Sequence, residues 1–405
     1  MKQATTGNAG PKVRSDVEVT LEIKSSGGVH LEITSKVMSM YGSAIEKQCR
    51  DLLAFFGIRN ASLKLNDAGA LPFVIAARVE AAVRALTGTQ DSFLPEMIEE
   101  NRYLSSRDRS RFSRLYLPGN NPGMFLNAGL HSPDGVILDL EDSVAPERKD
   151  EARILVRNAL RAVNFYGAER MVRINQGDRG LEDLFHVIPH NVHLILIPKC
   201  ENADTVKRVD DQINAIREKT RTSEDVFLMP IIESAGGVER AFEIATAAPS
   251  VVAMAIGLED YTSDIGVQRT KEGGESLYAR NRLVVAAKAA GIQPIDSVFS
   301  DVADMEGLLE NVLNAKAMGF EGMGCIHPRQ IAVIRKGFSP STDEIDKAMK
   351  IVLAFSEAER RGLGVVALGS KMIDAPVVAR ARKTIDLAVR MGLLPVKWEE
   401  EATKE

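Results

Sequence analysis

Glu233 and Asp260 are the residues whose types and spacing point most directly to chemistry. Each closes an apolar run of strand length, Val226 to Ile232 and Val251 to Ile256. Between the runs, Gly236 to Ala248 places Val238, Phe242 and Ile244 at the spacing of one short helix. Strands apolar on both faces belong to a parallel sheet, and a strand-helix-strand unit brings both C-terminal ends to one edge. Glu233 and Asp260 should therefore face one cleft. Two carboxylates so placed repel unless a cation lies between them, and a hard divalent ion such as Mg2+ is the simplest candidate. Each acid could equally cap the helix that follows it, and spacing leaves both readings open.

The same rhythm recurs along the chain. Strand-like runs are RLYLPG (114–119), GVILDLED (135–142), RMVRIN (170–175), HLILIPK (193–199), the two above, PIDSVFSD (294–301) and MGCIHP (323–328). Eight such runs with helix-length intervals predict a TIM (β/α)8 barrel, an α/β fold whose chemistry lies at the C-terminal strand ends. A doubly wound open sheet is the competing topology, but no Gly-rich dinucleotide fingerprint follows the first run. Strand ends then supply Asp139, Glu141, Asp142, Arg173, Asn175, Lys199, Glu233, Asp260, Asp301 and His327. An arginine among acids suits a substrate carboxylate or phosphate, since its planar fork binds two oxygens at once; Arg173 could instead only pair with Glu141. His327, ahead of Pro328, reads as a structural hydrogen-bonding histidine. Beyond the barrel, Asp374 lies between Ile373 and Ala375-Pro376, where burial would raise its pKa toward acid/base use or where it caps a helix. Residues 362–369 are expected to loop out ahead of it.

The 405 residues carry a net charge of -5, and aromatic residues make up 5%. That balance argues against nucleic acid or an anionic membrane as partner. No run approaches the ~20 apolar residues of a bilayer span, and the N-terminus has no apolar core of a signal peptide. Cys49, Cys200 and Cys325 fit no metal spacing and read as reduced thiols of a cytoplasmic protein. Residues 1–88 read as a small α+β module. A mobile lead-in of twelve residues precedes alternating runs at Val17–Ile23 and Val29–Ile33, taken as a β-hairpin across SSGG. Helices over about 36–56 and 71–86 flank a strand at Leu63 and Leu65. Residues 89–111, polar and charged, read as a flexible linker, 112–338 as the barrel and 339–405 as a helical extension.

The motifs RLYLPGN, LDLEDSV, VRIN, LIPK, IIES, GLEDY, LYAR, GFEGMGCIHPRQ and GSKMIDAPVV, in this order over about 111–392, resemble the citrate lyase β subunit and the related malyl- and citramalyl-thioester lyases. Residues 1–88, with RSDVEV, NDAGAL and ARVEAAV, resemble the citrate lyase γ subunit, the acyl carrier protein. The resemblance implies Mg2+ ligands at Glu233 and Asp260, with Glu233 also touching substrate, and Arg173 holding a carboxylate or the thioester oxygen. It implies an acid/base at Asp374 supplied by a neighbouring subunit's C-terminal segment, and a phosphoribosyl-dephospho-CoA arm on Ser15. It also implies a homo-oligomer, trimer or hexamer, and a citrate lyase α subunit (acyl-transferase) as partner. The expected activity is cleavage of a citryl thioester to oxaloacetate and acetyl thioester, the linker delivering the arm at millimolar effective concentration. One departure is Met323, where the family often has lysine. The alternatives are a lyase or thioesterase for free malyl- or citramalyl-CoA with the first domain as a docking module, and a non-catalytic assembly subunit.

Overall fold

The computed structural model describes residues 3–369 and 371–402, so Ser370 of the GSKMIDAPVV motif lies outside the described residues. The chain forms two compact units, residues 1–334 and 335–405. The first opens with β1 (Gln3–Thr6), β2 (Val17–Ile23), β3 (Val29–Ser35), α1 (Met38–Phe55), β4 (Ala61–Asp67) and α2 (Pro72–Thr87). Gln3–Thr6, expected to be mobile, is an edge strand antiparallel to β2. The expected β-hairpin is absent: the sheet order is β1-β2-β4-β3, with β4 antiparallel to β2 and parallel to β3. Alternation correctly reported the buried face of each strand, but it carries no information about which neighbour a strand takes.

Helix α2 explains how this module is fixed. Residues Phe73 to Val83 are all buried, because one side covers the module's sheet and the other packs on the barrel helix Lys149–Ala162. An apolar girth broken only by Arg78 and Glu80 is what such two-sided burial requires. Both charges are paired across the junction. Arg78 holds Asp16 through Nε (3.0 Å) and Nη2 (2.9 Å), donates to the Asn120 carbonyl at 2.9 Å and lies 3.3 Å from Glu151. Glu80 accepts 2.8 and 2.7 Å bonds from Arg157. Replacing Arg78 with leucine would leave Asp16 and Glu151 without this buried cation, and should cost about 3–5 kcal/mol, read as a lowered urea midpoint. An unchanged midpoint would mean that the pairing adds nothing.

Residues 89–111 are not a free tether. They form a strap over the N-terminal ends of the barrel strands. Asn101 donates to the Leu160 and Val163 carbonyls, Arg107 to Pro249 and Val251, and fully buried Arg111 to Glu169 and Gln293. Arg107, Arg109 and Arg111 of the segment find partners in the barrel, which its polarity alone could not reveal. Under the strap His193 accepts from Arg170 N–H at 3.1 Å and contacts the Tyr103 carbonyl at 2.9 Å. Burial and the nearby Arg170 push its pKa down to about 3, and burial with Arg161 does the same at His190. Folded-state values below the unfolded ~6.5 mean that the stability is present above pH 6.5 and lost as pH falls toward 3. The slope approaches about 1.4 kcal/mol per pH unit per histidine. Melting between pH 6.5 and 4 should show this loss, and His193→Gln should flatten it; an equally steep curve in the variant would contradict the assignment.

The barrel strands are β5 (Ser113–Pro118), β6 (Gly135–Asp139), β7 (Glu169–Arg173), β8 (Leu194–Ile197), β9 (Phe227–Ile232), β10 (Ala253–Ile256), β11 (Gln293–Ile295) and β12 (Met323–Cys325). All are parallel in the order β11-β10-β9-β8-β7-β6-β5-β12, and an Asp296–Met323 bridge joins the ends. This is the expected TIM-like barrel. Its interior is filled by Ile137, Met171, Leu194, Leu196, Met229, Ile231, Ala255 and Ile295. The single helix expected after β9 is two short ones, Ala235–Glu239 and Ala241–Ala245, meeting at Arg240.

The second unit packs helices Thr342–Arg360 and Ala375–Arg390 around Ile351, Phe355, Ile385 and Trp398. Ser341 and Glu344 form a capping box at the first helix. Instead of looping out, Val366–Leu368 (β13) pairs antiparallel with Lys371–Ile373 (β14). Among the described residues no helix is long and apolar enough to cross a membrane.

Candidate active site

A cavity of about 490 Å3 opens at the C-terminal mouth of the barrel, lined by Tyr116, Asp139, Asp142, Arg173, Glu233 and Asp260 among others. Glu233 follows β9 directly and is buried. Its Oε2 accepts from the Lys199 N–H at 2.8 Å, while Oε1 lies 2.4 Å from where a Cβ at Gly257 would be, so any larger residue there would push the Glu233 side chain from this position. Burial, with Asp260 nearby, raises the Glu233 pKa to about 7. Asp260 stands in the helix Leu258–Asp264 that follows β10, half-exposed toward the same mouth. The strand-helix-strand unit thus brings the two acids together as spacing predicted.

The other strand ends build a charged rim. Arg173 donates to Asp139 through Nε (2.6 Å) and Nη2 (2.7 Å), and its Nη1 lies 3.1 Å from Glu141. Tyr116 stacks below the guanidinium at 5.4 Å. The pairing with Glu141 and the pocket-lining position therefore coexist, and Nη1 also lies 3.6 Å from Asp142. Burial would raise the Asp139 pKa, but Arg173 outweighs it and holds the acid ionised. Lys199, in a left-handed turn with φ 45°, sets its ammonium 3.4 Å from Glu141, 3.5 Å from Asp142 and 3.5 Å from Asp260. Lys149 pins the loop after β6 by donating to the Leu140 and Glu141 carbonyls.

Not every predicted residue joins this mouth. Asn175 is bound to Asp183 and Lys149. Asp301 caps a turn through Ala303 N–H, and His327 accepts from Arg329 N–H as a structural histidine. In the second unit Asp374 is half-exposed and takes the capping alternative, accepting from Val377 N–H at 3.2 Å at the start of the helix Ala375–Arg390. Met323 is fully buried and does not line the cavity, whereas its neighbour Gly324 does. Sequence reading missed Tyr116, Arg114, Asp296 and Ser297 in the lining.

Ser15 has φ 57° and is half-exposed. Exposed Lys12, Arg14 and Lys36 surround its turn, with Lys36 donating to the Val13 carbonyl. The Arg14 carbonyl lies 3.0 Å from where a Cβ on Gly123 would be. Gly123 precedes Met124, which lines the cavity, so the Ser15 turn stands at the rim.

Among the described residues no group of three or more His, Cys, Asp or Glu side chains forms a metal cluster. Two carboxylates at an open mouth instead suit an ion that completes its shell with water and substrate oxygens, as Mg2+ commonly does. A parallel barrel whose mouth joins such an acid pair to an arginine and a lysine is an enzyme class built for chemistry on carboxylate substrates. The chain belongs to the HpcH/HpaI aldolase/citrate lyase family, whose model matches residues 113–328, and it is a carbon–carbon lyase. Residues 3–86 match the model of the malonate decarboxylase delta subunit (MdcD), an acyl-carrier type. The citrate lyase subunit beta of Haemophilus influenzae is 39% identical over 69% of this chain and 97% of its own length. The mitochondrial citramalyl-CoA lyase of Homo sapiens is 34% identical over 68% of this chain and 84% of its own length. The crystal structure of protein CitE from Mycobacterium tuberculosis, in complex with magnesium, acetoacetate and coenzyme A, is similar over 70% of this chain and 99% of that one. Its TM-score is 0.57 at 31% identity.

Proposed function

We propose that the chain cleaves a citryl thioester, carried on an arm at Ser15, to oxaloacetate and an acetyl thioester. The observation that carries this reading is the junction of a carrier-type module with the barrel, which holds the Ser15 turn at the rim of the acid-lined cavity. Glu233 and Asp260 would hold Mg2+; bound there, the ion would ease deprotonation of the substrate hydroxyl and offset its neighbouring carboxylate. A buried acid with a raised pKa beside a second acid fits that role, since a cation relieves both burdens. Arg173, oriented by Asp139, would donate to the oxygen that takes up charge when the carbon–carbon bond breaks. Tyr116 and Ile231 give the cavity an apolar wall that strengthens these interactions by excluding water. Asp374 would supply the proton that completes the acetyl group from the C-terminal segment of a neighbouring protomer, which requires a homo-oligomer, a trimer or hexamer.

The arm at Ser15 would be phosphoribosyl-dephospho-CoA, supplying a thiol for the acyl group, and Lys12, Arg14 and Lys36 suit its phosphates. A citrate lyase α subunit would load it by acyl transfer. Buried, unpaired Cys49, Cys200 and Cys325, with thiol pKa values raised to about 12 chiefly by burial, agree with a cytoplasmic setting. Similarity to a citramalyl-CoA lyase favours, as a second reading, action on free malyl- or citramalyl-CoA with the first module as a dock. Product assays with citryl-, citramalyl- and malyl-CoA, with Mg2+ or with chelator, separate the two. Oxaloacetate formed most efficiently supports the proposal, and a preference for pyruvate or glyoxylate release overturns it.

A further inference from the structure

The floor of the cavity holds a charge that the reaction as described does not use. Arg114 lies on β5 two residues before Tyr116, and both line the cavity. It is 1% exposed. Its Nη1 contacts the Met229 sulfur at 3.0 Å, and its Nε has no hydrogen-bond partner. Buried Arg78, Arg111, Arg157 and Arg280 have carboxylates, Asp16, Glu169, Glu80 and Asp296 respectively, and fully buried Arg170, which has none, is held instead by the Asn101 and Asn191 carbonyls. Among the described residues Arg114 has no acid within ion-pair distance. A thioether is a weak acceptor, and a buried cation without an anion is costly. The surrounding walls, Tyr116, Ile231, Ala255 and Gly324, carry no negative charge.

We infer that Arg114 binds a carboxylate on the far end of the substrate, making the site specific for an acid charged at both ends. One end would lie with Glu233, Asp260 and Arg173 at the mouth, and the other would reach the guanidinium below. This rests on the proposed lyase reading and refines it. The three candidate thioesters differ at one substituent of the hydroxyl-bearing carbon: carboxymethyl in citryl, methyl in citramalyl, hydrogen in malyl. Only the first offers Arg114 an anion. A planar fork suits it, since two parallel N–H···O bonds fix a carboxylate's position.

The test is calorimetric binding of oxaloacetate and of pyruvate, each with Mg2+, to the full chain and to Arg114→Met and Arg114→Lys. The wild type should favour oxaloacetate. Arg114→Met should lose about 10- to 100-fold of that preference, the range of a charge-assisted hydrogen bond, while its melting temperature holds or rises because an unpaired buried cation is gone. Arg114→Lys should retain part of the preference. An unchanged oxaloacetate-to-pyruvate ratio in Arg114→Met overturns the inference, as does a folding defect in Arg114→Met with Arg114→Lys keeping no preference. If no thioester is cleaved yet the ratio depends on Arg114, the subsite stands and the lyase reading falls. If thioesters are cleaved and the ratio is indifferent to Arg114, only the subsite falls.

Discussion

Glu233→Gln is expected to lower Mg2+-dependent turnover by at least about 10^2- to 10^3-fold, with the fold preserved. The amide keeps the shape and can still accept from the Lys199 N–H, so packing against Gly257 survives while a hard anionic donor is lost. Titration of Mg2+ by calorimetry, alongside circular dichroism, separates loss of the ion from loss of structure. Full activity in the variant would remove Glu233 from the site.

Ser15→Ala should have the second largest effect, abolishing turnover of carrier-bound substrate while free citryl-CoA is still cleaved. The serine side chain forms no part of the junction with the barrel, which runs through Arg78, Asp16 and Glu80, so the variant should melt like the parent. Incubation with an arm-transferring enzyme should then add no mass to the Ser15 peptide. The unusual φ of 57° at this residue turns its chain out of the strand that begins at Val17, placing the side chain on an exposed turn. Retained turnover of carrier-bound substrate in Ser15→Ala would place the arm elsewhere or dispense with it.

The barrel was legible because eight apolar runs ending in polar groups leave few other topologies, and the pairing of Glu233 with Asp260 followed from strand direction alone. Where reading failed, it failed for definable reasons. The alternation at Val17 and Val29 shows which face is buried and is silent on pairing, so β4 could insert between them unseen. The strap over 89–111 looked solvent-facing because charge was equated with exposure, although Arg111 and Glu169 are wholly buried as a pair. Helix α2 is apolar around nearly its whole girth, which signals two packed sides, and hence a docked module. Arg114 was hidden because β5 is covered on both faces, so parity alone does not say which side chains point inward. Met323, in place of the family's frequent lysine, is buried and is not among the residues that line the cavity, whereas Gly324 is.

The most direct measurement is the mass of the Ser15 peptide, taken from protein purified from its native host, acylated on the arm thiol to the citryl form, and then given Mg2+. The account predicts a mass increase for phosphoribosyl-dephospho-CoA on Ser15, and a fall from the citryl to the acetyl arm that chelator prevents. An unmodified Ser15, or a citryl arm that persists in Mg2+, would contradict it.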